Sequence, residues 1–577
     1  MPRTVTRGAL VLVAWLALAL AHAALAVAPP PTTSTRALVV SPHPAVSEAG
    51  VEVLRAGGNV VDAAVAAAFA LAVAQPQSTG IGGGGFLLIR LADGRAFAID
   101  ARETAPAAAT PDLYLRPGVP DAAALVGGLA VGTPGLVAGL ALAQERFGSR
   151  PLAEVMAPAI RLAAEGYVIG PYQAGFIEAL RARAPLARFP ETARIHFPPG
   201  PVGATTRLVQ PDLARTLRAI AARGPRAFYE GAVAEALAKA VQEAGGILTV
   251  EDLARYRPVL REPLAGRFRG FEVLAFPPPS SGGVTLLETL NILEGFELAR
   301  LGAGSSAAIH RITEALKLAF ADRAVHLGDP DFAALPVSQL LDPAYAARLR
   351  ARINPPRWRR APWTWGRSEV VIHVAGPGFP PAGTGTAHLS VADAAGNAVA
   401  ITETINTPYG SWVTASGTGV LLNNEMDDFA TRPGRPNAFG LVAVAGANGV
   451  EPGKRPLSSM APVIVLEGGR LRFVAGSNGG PRIITSTLLA LLNHLEFGMD
   501  VADAVSAPRF HHQWLPDELL LESGTPADVV EALRARGHAV RVVDDLGGGV
   551  EAIALDPETG ALSGAPDPRR DGAALAP

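Results

Sequence analysis

The chain contains no cysteine. Disulfides, thiolate metal centres, cysteine nucleophiles and a lipid-modified cysteine are therefore all excluded. Charge is scarce and balanced, with 18% charged residues and a formal net charge of -2, so no basic field is available to attract nucleic acid. Beyond the N-terminus, runs long enough to span a membrane are missing: residues 60–74 are apolar, but too few, and Asp62 interrupts them. Several familiar motifs are also absent. Gly80-Ile81-Gly82-Gly83-Gly84-Gly85 lacks the Lys-Ser/Thr of a phosphate loop and is followed by a strand where a helix would have to open, so close backbone packing is expected there. The acidic stretch at 421–429 lacks the alternating ligands and glycine of a calcium loop. His511 and His512 are adjacent, so in extended chain they point to opposite sides and are not read as metal ligands. No metal or cofactor is expected. What remains is a 577-residue chain that is 49% hydrophobic, enough for a large globular core.

The first residues carry an address. Arg3 and Arg7 precede the apolar run 9–21, and Ala21-His22-Ala23 and Ala24-Leu25-Ala26 offer small-residue cleavage sites. This is the three-part pattern of a secretory signal over residues 1–26, and it implies a periplasmic or secreted protein. An uncleaved anchor is the competing reading, because apolar character continues to Ala28. Pro29, Pro30 and Pro31 then form a stiff connector.

Ala-rich helices are expected at 47–56 and 62–73, separated by Gly57-Gly58-Asn59 as a helix stop. Strands at 86–91 and 95–100 flank Asp93-Gly94, a hairpin signal, and lead to Arg102, which is either a rim charge or a planar fork for a carboxylate. Helical blocks at 212–222, 232–244 and 307–327 follow, and residues 354–383, rich in Pro, Trp, Arg and Gly, read as an exposed linker.

The chain is organised around Gly383-Thr384-Gly385-Thr386-Ala387-His388-Leu389-Ser390. A threonine hydroxyl is a poor nucleophile unless a base lies within reach. A threonine at a chain terminus brings its own, since an α-amino group titrates at roughly 7.7–8.0. Cleavage between Gly385 and Thr386 would expose that amine, and glycine suits the distorted backbone the attack requires. A polar turn entering a strand is the plain alternative. Strands at 386–392 and 398–405 around Ala394-Ala395-Gly396-Asn397 form a hairpin that returns Thr404 and Asn406 beside Thr386, either to orient it or as ordinary cross-strand bonds.

Downstream, Glu425, Asp427 and Asp428 would fix an ammonium, which with Arg102 for a carboxylate would suit an α-amino acid. Residues 429–453, with Phe439 near the middle, read as a mobile lid. Ser458 and Ser459 lack a Gly-x-Ser-x-Gly elbow, so binding a carboxylate is preferred to a serine-amidase role. A hairpin at 463–474 leads through Gly479 and Gly480 to a helix at 482–495, where successive N–H groups could form an oxyanion hole or a simple strand-to-helix turn.

Gly-Thr-Ala-His-Leu-Ser at 385–390, Asn-Asn-Glu-Met-Asp-Asp-Phe at 423–429, Lys-Arg-Pro-Leu-Ser-Ser-Met at 454–460 and Ala-Pro-Arg-Phe-His-His at 507–512 together resemble the γ-glutamyltranspeptidase (glutathione hydrolase) family. Gly-Gly-Asn-Val-Val-Asp-Ala-Ala at 57–64 and Arg102-Glu103 extend the likeness toward the N-terminus. The resemblance implies a four-layer αββα N-terminal-nucleophile hydrolase, autocleaved into a large subunit (27–385) and a small one (386–577) that remain a heterodimer. It implies Thr386 as nucleophile with Thr404 in support, and Gly479 and Gly480 as the oxyanion pair. It also implies Arg102, Ser458 and Ser459 on the glutamyl α-carboxylate and Asn406, Glu425 and Asp428 on the α-amino group. Glutathione and other γ-glutamyl compounds would be donors, and water, amino acids or dipeptides acceptors. Phe439 departs from the tyrosine that relatives with a lid often carry, and cannot donate a hydrogen bond. A glutaryl-cephalosporin acylase on the same fold and an unprocessed periplasmic binding protein are the alternatives.

Overall fold

The computed structural model describes residues 29–353, 385–443 and 446–577. The expected signal at 1–26 and the stretch 354–384, including Gly383, lie outside the described residues.

Two seven-stranded sheets lie face to face. The first runs, in spatial order, Ala573–Leu575, Ala37–Ser41, Gly385–Asp393, Ala398–Asn406, Gly84–Arg90, Ala96–Ala101 and Val259–Arg261. The second runs Thr32–Ser34, Leu562–Pro566, Val550–Leu555, Arg470–Ser477, Val463–Glu467, Phe271–Ala275 and Leu264–Phe268. Helices Pro44–Arg55 and Val60–Ala74 cover the outside of the first sheet; Gly282–Leu293, Arg482–Leu495 and Val501–Ser506 cover the second. The result is the expected αββα sandwich, with one apolar cluster between the outer helices and the first sheet and another reaching from between the sheets to the helices on the far side. Both sheets contain strands from before and after residue 385, so severing the chain there would leave two pieces sharing one core.

Side-chain alternation explains the division of labour along the central strand. Ala387, Leu389 and Val391 pack toward the outer helices, which leaves Thr386, His388 and Ser390 facing the second sheet. Ser390 Oγ donates to the Glu551 carbonyl across that gap, and the His388 ring lies where any side chain at Gly476 would collide with it. Burial holds the His388 imidazole neutral, well below its usual range. The glycine run is used for close packing: side chains at Gly82 and Gly83 would strike the carbonyls of Leu421 and Thr404. No helix among the described residues is long and apolar enough to cross a membrane.

Most expected elements recur with shifted ends. Asn59, read from sequence as part of a helix stop, instead caps the next helix: its side chain accepts from Val61 and Asp62 N–H while the Asp62 carboxylate accepts from the Asn59 backbone N–H. Asp62 also accepts from Gln144 Nε2 at 2.6 Å and from the Ser149 and Arg150 amides at 2.9 and 3.0 Å. Burial pushes this carboxyl up, but hydrogen bonds from Ser149, Gln144, Asn59 and Arg150 outweigh it and the net displacement is downward. The helix Val60–Ala74, buried along its whole length, is pinned at its start by this one acid.

Asp62→Ala is expected to cost roughly 2–3 kcal/mol, because several buried donors lose their acceptor. A folded pKa below the ordinary 3.8 means that Asp62 stabilises above that value and loses its contribution as pH falls through the folded pKa. Thermal unfolding of wild type and variant should therefore differ at pH 7 and converge in strong acid; equal midpoints at pH 7 would contradict this account.

Candidate active site

The hairpin from Gly385–Asp393 to Ala398–Asn406 places Thr386 opposite Thr404, with a register shift between Gly385 and Thr386. The irregularity sits at the expected cut. A side chain at Gly385 would strike the carbonyls of Asn406 and Thr407, so only glycine fits that position. Thr404 Oγ1 donates to the Gly385 carbonyl at 2.5 Å and accepts from the Asn406 amide at 2.8 Å. Its one proton is thus committed to Gly385, and the 3.0 Å contact with Thr386 Oγ1 must carry the Thr386 proton toward Thr404. One hydroxyl polarises the carbonyl while orienting the neighbouring nucleophile. Asn406 itself adopts φ +77°, in the left-handed region that asparagine tolerates, and its Nδ2 donates to the Asn424 carbonyl at 2.9 Å.

These residues line a narrow cleft together with Arg102, Glu425, Asp428, Phe439, Ser458, Ser459 and Gly480; Met460 and Ile483 supply an apolar wall. Sequence reasoning had placed all of these polar groups, Phe439 and Gly480 in one site. Gly479 does not line the cleft but adjoins it in the turn before helix Arg482–Leu495. Gly479 and Gly480 hold φ +125° and +60°, and among the described residues neither amide N–H has a protein acceptor. Two unmet donors beside a hydroxyl can stabilise a developing oxyanion.

Arg102 is wholly buried, which discards the rim-charge alternative. It pairs with Glu425 and, at 2.5 Å, with Asp428, and its Nε donates to the Pro456 carbonyl at 3.0 Å; Glu103 lies 3.7 Å away. Burial opposes its charge, but Glu425, Asp428 and Glu103 outweigh that and hold the guanidinium more firmly charged than usual. Burial raises all three carboxyls, Glu103 to about 8, with Arg102 pulling the other way. Arg102, with Arg323 acting on Asp428 from farther off, opposes that rise, and burial still holds the three carboxyls above their ordinary range. Glu425 Oε2 has no partner.

The segment after Asp428, expected to form a lid, lies over the cleft, with Phe439, Leu441 and Val442 buried. The Ala438 amide donates to Asp427, Asn437 Oδ1 accepts from the Phe439 and Leu441 amides, and the Phe439 ring lies where a Gly480 side chain would come within 2.6 Å of it. Sequence reasoning missed two contributors. Gln513 Nε2 donates to the Phe439 carbonyl at 3.0 Å and is oriented by His511, which also contacts Thr485. Arg323, from helix Ser306–His326, reaches Ser281 and Ser459. Neither carries a local motif; only their tertiary neighbours mark them. His512 contacts Asp517, so the two histidines serve separate contacts. Outside the site, His310, Glu314 and His538 bring ligand atoms within 4.8 Å, yet Arg536, Arg311 and Lys317 crowd the cluster with positive charge that opposes a divalent cation.

A glycine–threonine junction at a strand start, its carbonyl polarised and its hydroxyl aimed between two facing sheets, defines an N-terminal-nucleophile hydrolase. The family model for Gamma-glutamyltranspeptidase matches residues 46–576, and the chain belongs to that family. It is 43% identical over 542 residues to the glutathione hydrolase proenzyme of Escherichia coli, covering 93% of this chain and 91% of the relative. It is also 43% identical over 556 residues to the acylase ACY 1 proenzyme of Pseudomonas sp. strain V22, covering 95% and 94%. Among solved structures, cephalosporin acylase from Bacillus halodurans superposes with a TM-score of 0.82 at 30% identity, covering 95% of this chain and 97% of that one. Helicobacter pylori γ-glutamyltranspeptidase gives 0.55 at 40% identity, covering 57% and 95%.

Gln513→Leu is expected to free the Phe439 carbonyl and speed proteolytic cutting within residues 430–453 about fivefold, the equivalent of one lost hydrogen bond of ~1 kcal/mol. Unchanged cutting rates would show that ring packing alone holds the segment.

Proposed function

We propose that this protein is an autoprocessing γ-glutamyltransferase and glutathione hydrolase. The observation that carries the reading is the bonding of the Thr404 hydroxyl, committed to the Gly385 carbonyl while holding the Thr386 hydroxyl, directly across a cleft from Arg102 and its carboxylates. In maturation, Thr386 Oγ1 attacks the Gly385 carbonyl carbon, the C–N bond breaks with its nitrogen taking the hydroxyl proton, and the resulting ester is hydrolysed by water. The products are a large subunit ending at Gly385 and a small one beginning at Thr386, held together by their shared sheets.

The freed amine then serves as base for its own hydroxyl. A γ-glutamyl donor such as glutathione enters with its α-carboxylate toward Arg102, Ser458 and Ser459 and its α-ammonium toward Asn406, Glu425 and Asp428. That ammonium adds positive charge beside the crowded carboxyls, on which Arg102 and, from farther off, Arg323 already act. Thr386 takes the γ-glutamyl group as an ester, the amide nitrogen leaves with the proton relayed by the amine, and the Gly479 and Gly480 amides hold the oxyanion. Water releases glutamate; an amino acid or dipeptide amine yields a new γ-glutamyl amide. The signal pattern at 1–26 supports a periplasmic or secreted location.

The likeness to acylases favours one second reading, a glutaryl acylase using the same nucleophile. A glutaryl group keeps the terminal carboxylate but lacks the ammonium, and would leave Glu425 and Asp428 facing the substrate with only the protein's own guanidinium groups as partners. Wild type should therefore hydrolyse γ-glutamyl-p-nitroanilide at least ~100-fold more efficiently than the glutaryl anilide, as expected when a buried charge loses its partner. The opposite order would favour the acylase. Thr386→Ala should run as one full-length chain on a denaturing gel and show no turnover; two fragments from that variant would overturn the maturation scheme.

A further inference from the structure

Arg323 has no place in the roles described so far, yet it is buried beneath the substrate-facing serines. Its Nε donates to Ser281 Oγ at 2.8 Å and its Nη2 to Ser459 Oγ at 3.3 Å. Among the described residues it forms no ion pair; Asp428 is the carboxylate that raises its pKa from a distance, and burial, the larger effect, lowers it to about 10. It is a cation held in the interior with two hydroxyls where a carboxylate would ordinarily sit.

The consequence follows from counting hydroxyl protons. A serine hydroxyl donates once and accepts twice. Ser281 accepts from Arg323 and spends its proton on the Ser458 carbonyl at 2.6 Å, which ties down the backbone under the serine pair. Ser459 accepts from Arg323, so its own proton is free to point into the cleft. Ser458 Oγ accepts from the Met460 amide at 3.1 Å and is left in the same state. Two O–H donors are thereby aimed into the cleft with a cation behind them. Arg102, in contrast, arrives already surrounded by three carboxyls.

We propose that Arg323 is a specificity-determining positioning residue: it fixes the Ser459 hydroxyl as a donor, holds the Ser458 backbone through Ser281, and supplies positive charge behind the two serines that selects a donor substrate bearing an α-carboxylate. The inference rests on the γ-glutamyl reading above and names a determinant within that site.

The test compares γ-glutamyl-p-nitroanilide with its α-carboxamide analogue, using processed enzyme verified as two fragments. Arg323→Gln should raise KM for the carboxylate substrate roughly 10- to 100-fold, the range for a hydrogen-bonded charge, with kcat changed less than about twofold. The carboxamide substrate, which still accepts from a serine hydroxyl but carries no charge, should lose only about twofold to threefold in kcat/KM, so the preference for carboxylate collapses. Arg323→Lys keeps the charge but cannot serve both hydroxyls, and should fall between the two. In an Arg323→Gln/Ser459→Ala double variant the two losses should be less than additive. Equal losses on both substrates, an unchanged KM, or strict additivity would each overturn the proposal; if Arg323→Gln fails to fold, the Arg323→Lys substrate ratio decides it. Wild type that ignores γ-glutamyl-p-nitroanilide altogether would instead defeat the functional reading on which the proposal rests.

Discussion

The structure depends on where a single hydroxyl sends its proton. Thr404 can donate once, and the Asn406 amide and Thr386 hydroxyl occupy its two acceptor positions, so the Gly385 carbonyl receives the donation. That arrangement exists only in one register of the central hairpin. A slip by one residue would turn Thr386 and Thr404 toward the outer helices and bring apolar side chains between the sheets. The fully buried helix beneath the hairpin, capped by Asn59 and Asp62, and the glycine run that lets Leu421 and Thr404 approach are parts of the scaffold that prevents such a slip.

Charge supplies the second constraint. Two guanidinium groups lie below the cleft with opposite degrees of compensation. Arg102 is crowded by three carboxyls, while Arg323 meets hydroxyls. The site therefore has carboxyls to meet a cation on one side and hydroxyl donors to meet an anion on the other. A zwitterionic α-amino acid group supplies both at once, which a neutral ligand or a simple dicarboxylate does not. This complementarity and the shared ancestry with glutathione hydrolases point to the same chemistry from independent directions.

The lid is held by contacts that its own composition does not reveal. Its Gly- and Pro-rich composition reads as mobile chain, and it contains no helix longer than the turn Gly446–Asn448 among the described residues. Order comes from outside the segment: Asp427 and Gln513 hold its backbone, and the Phe439 ring rests where Gly480 has no side chain. Without a hydroxyl on Phe439, closure relies on those backbone contacts and on apolar packing.

Local chemistry was legible in the chain because it is carried by neighbours in sequence. The hairpin turn, the Gly385-Thr386 junction, the paired serines and the Glu425–Asp428 turn each identify themselves within a few residues. Hairpin geometry even predicted that Thr404 would return to Thr386, since register follows from a short turn. The burial of Arg102 was not legible, because a strand exit can face solvent or core. Nor were Arg323 and Gln513, whose partners Ser459 and Phe439 lie far away along the chain. The sequence by itself determined which groups can react and which can be bound; the tertiary structure decided which protons point where, because hydrogen-bond direction and desolvation are set by every segment that closes around a group.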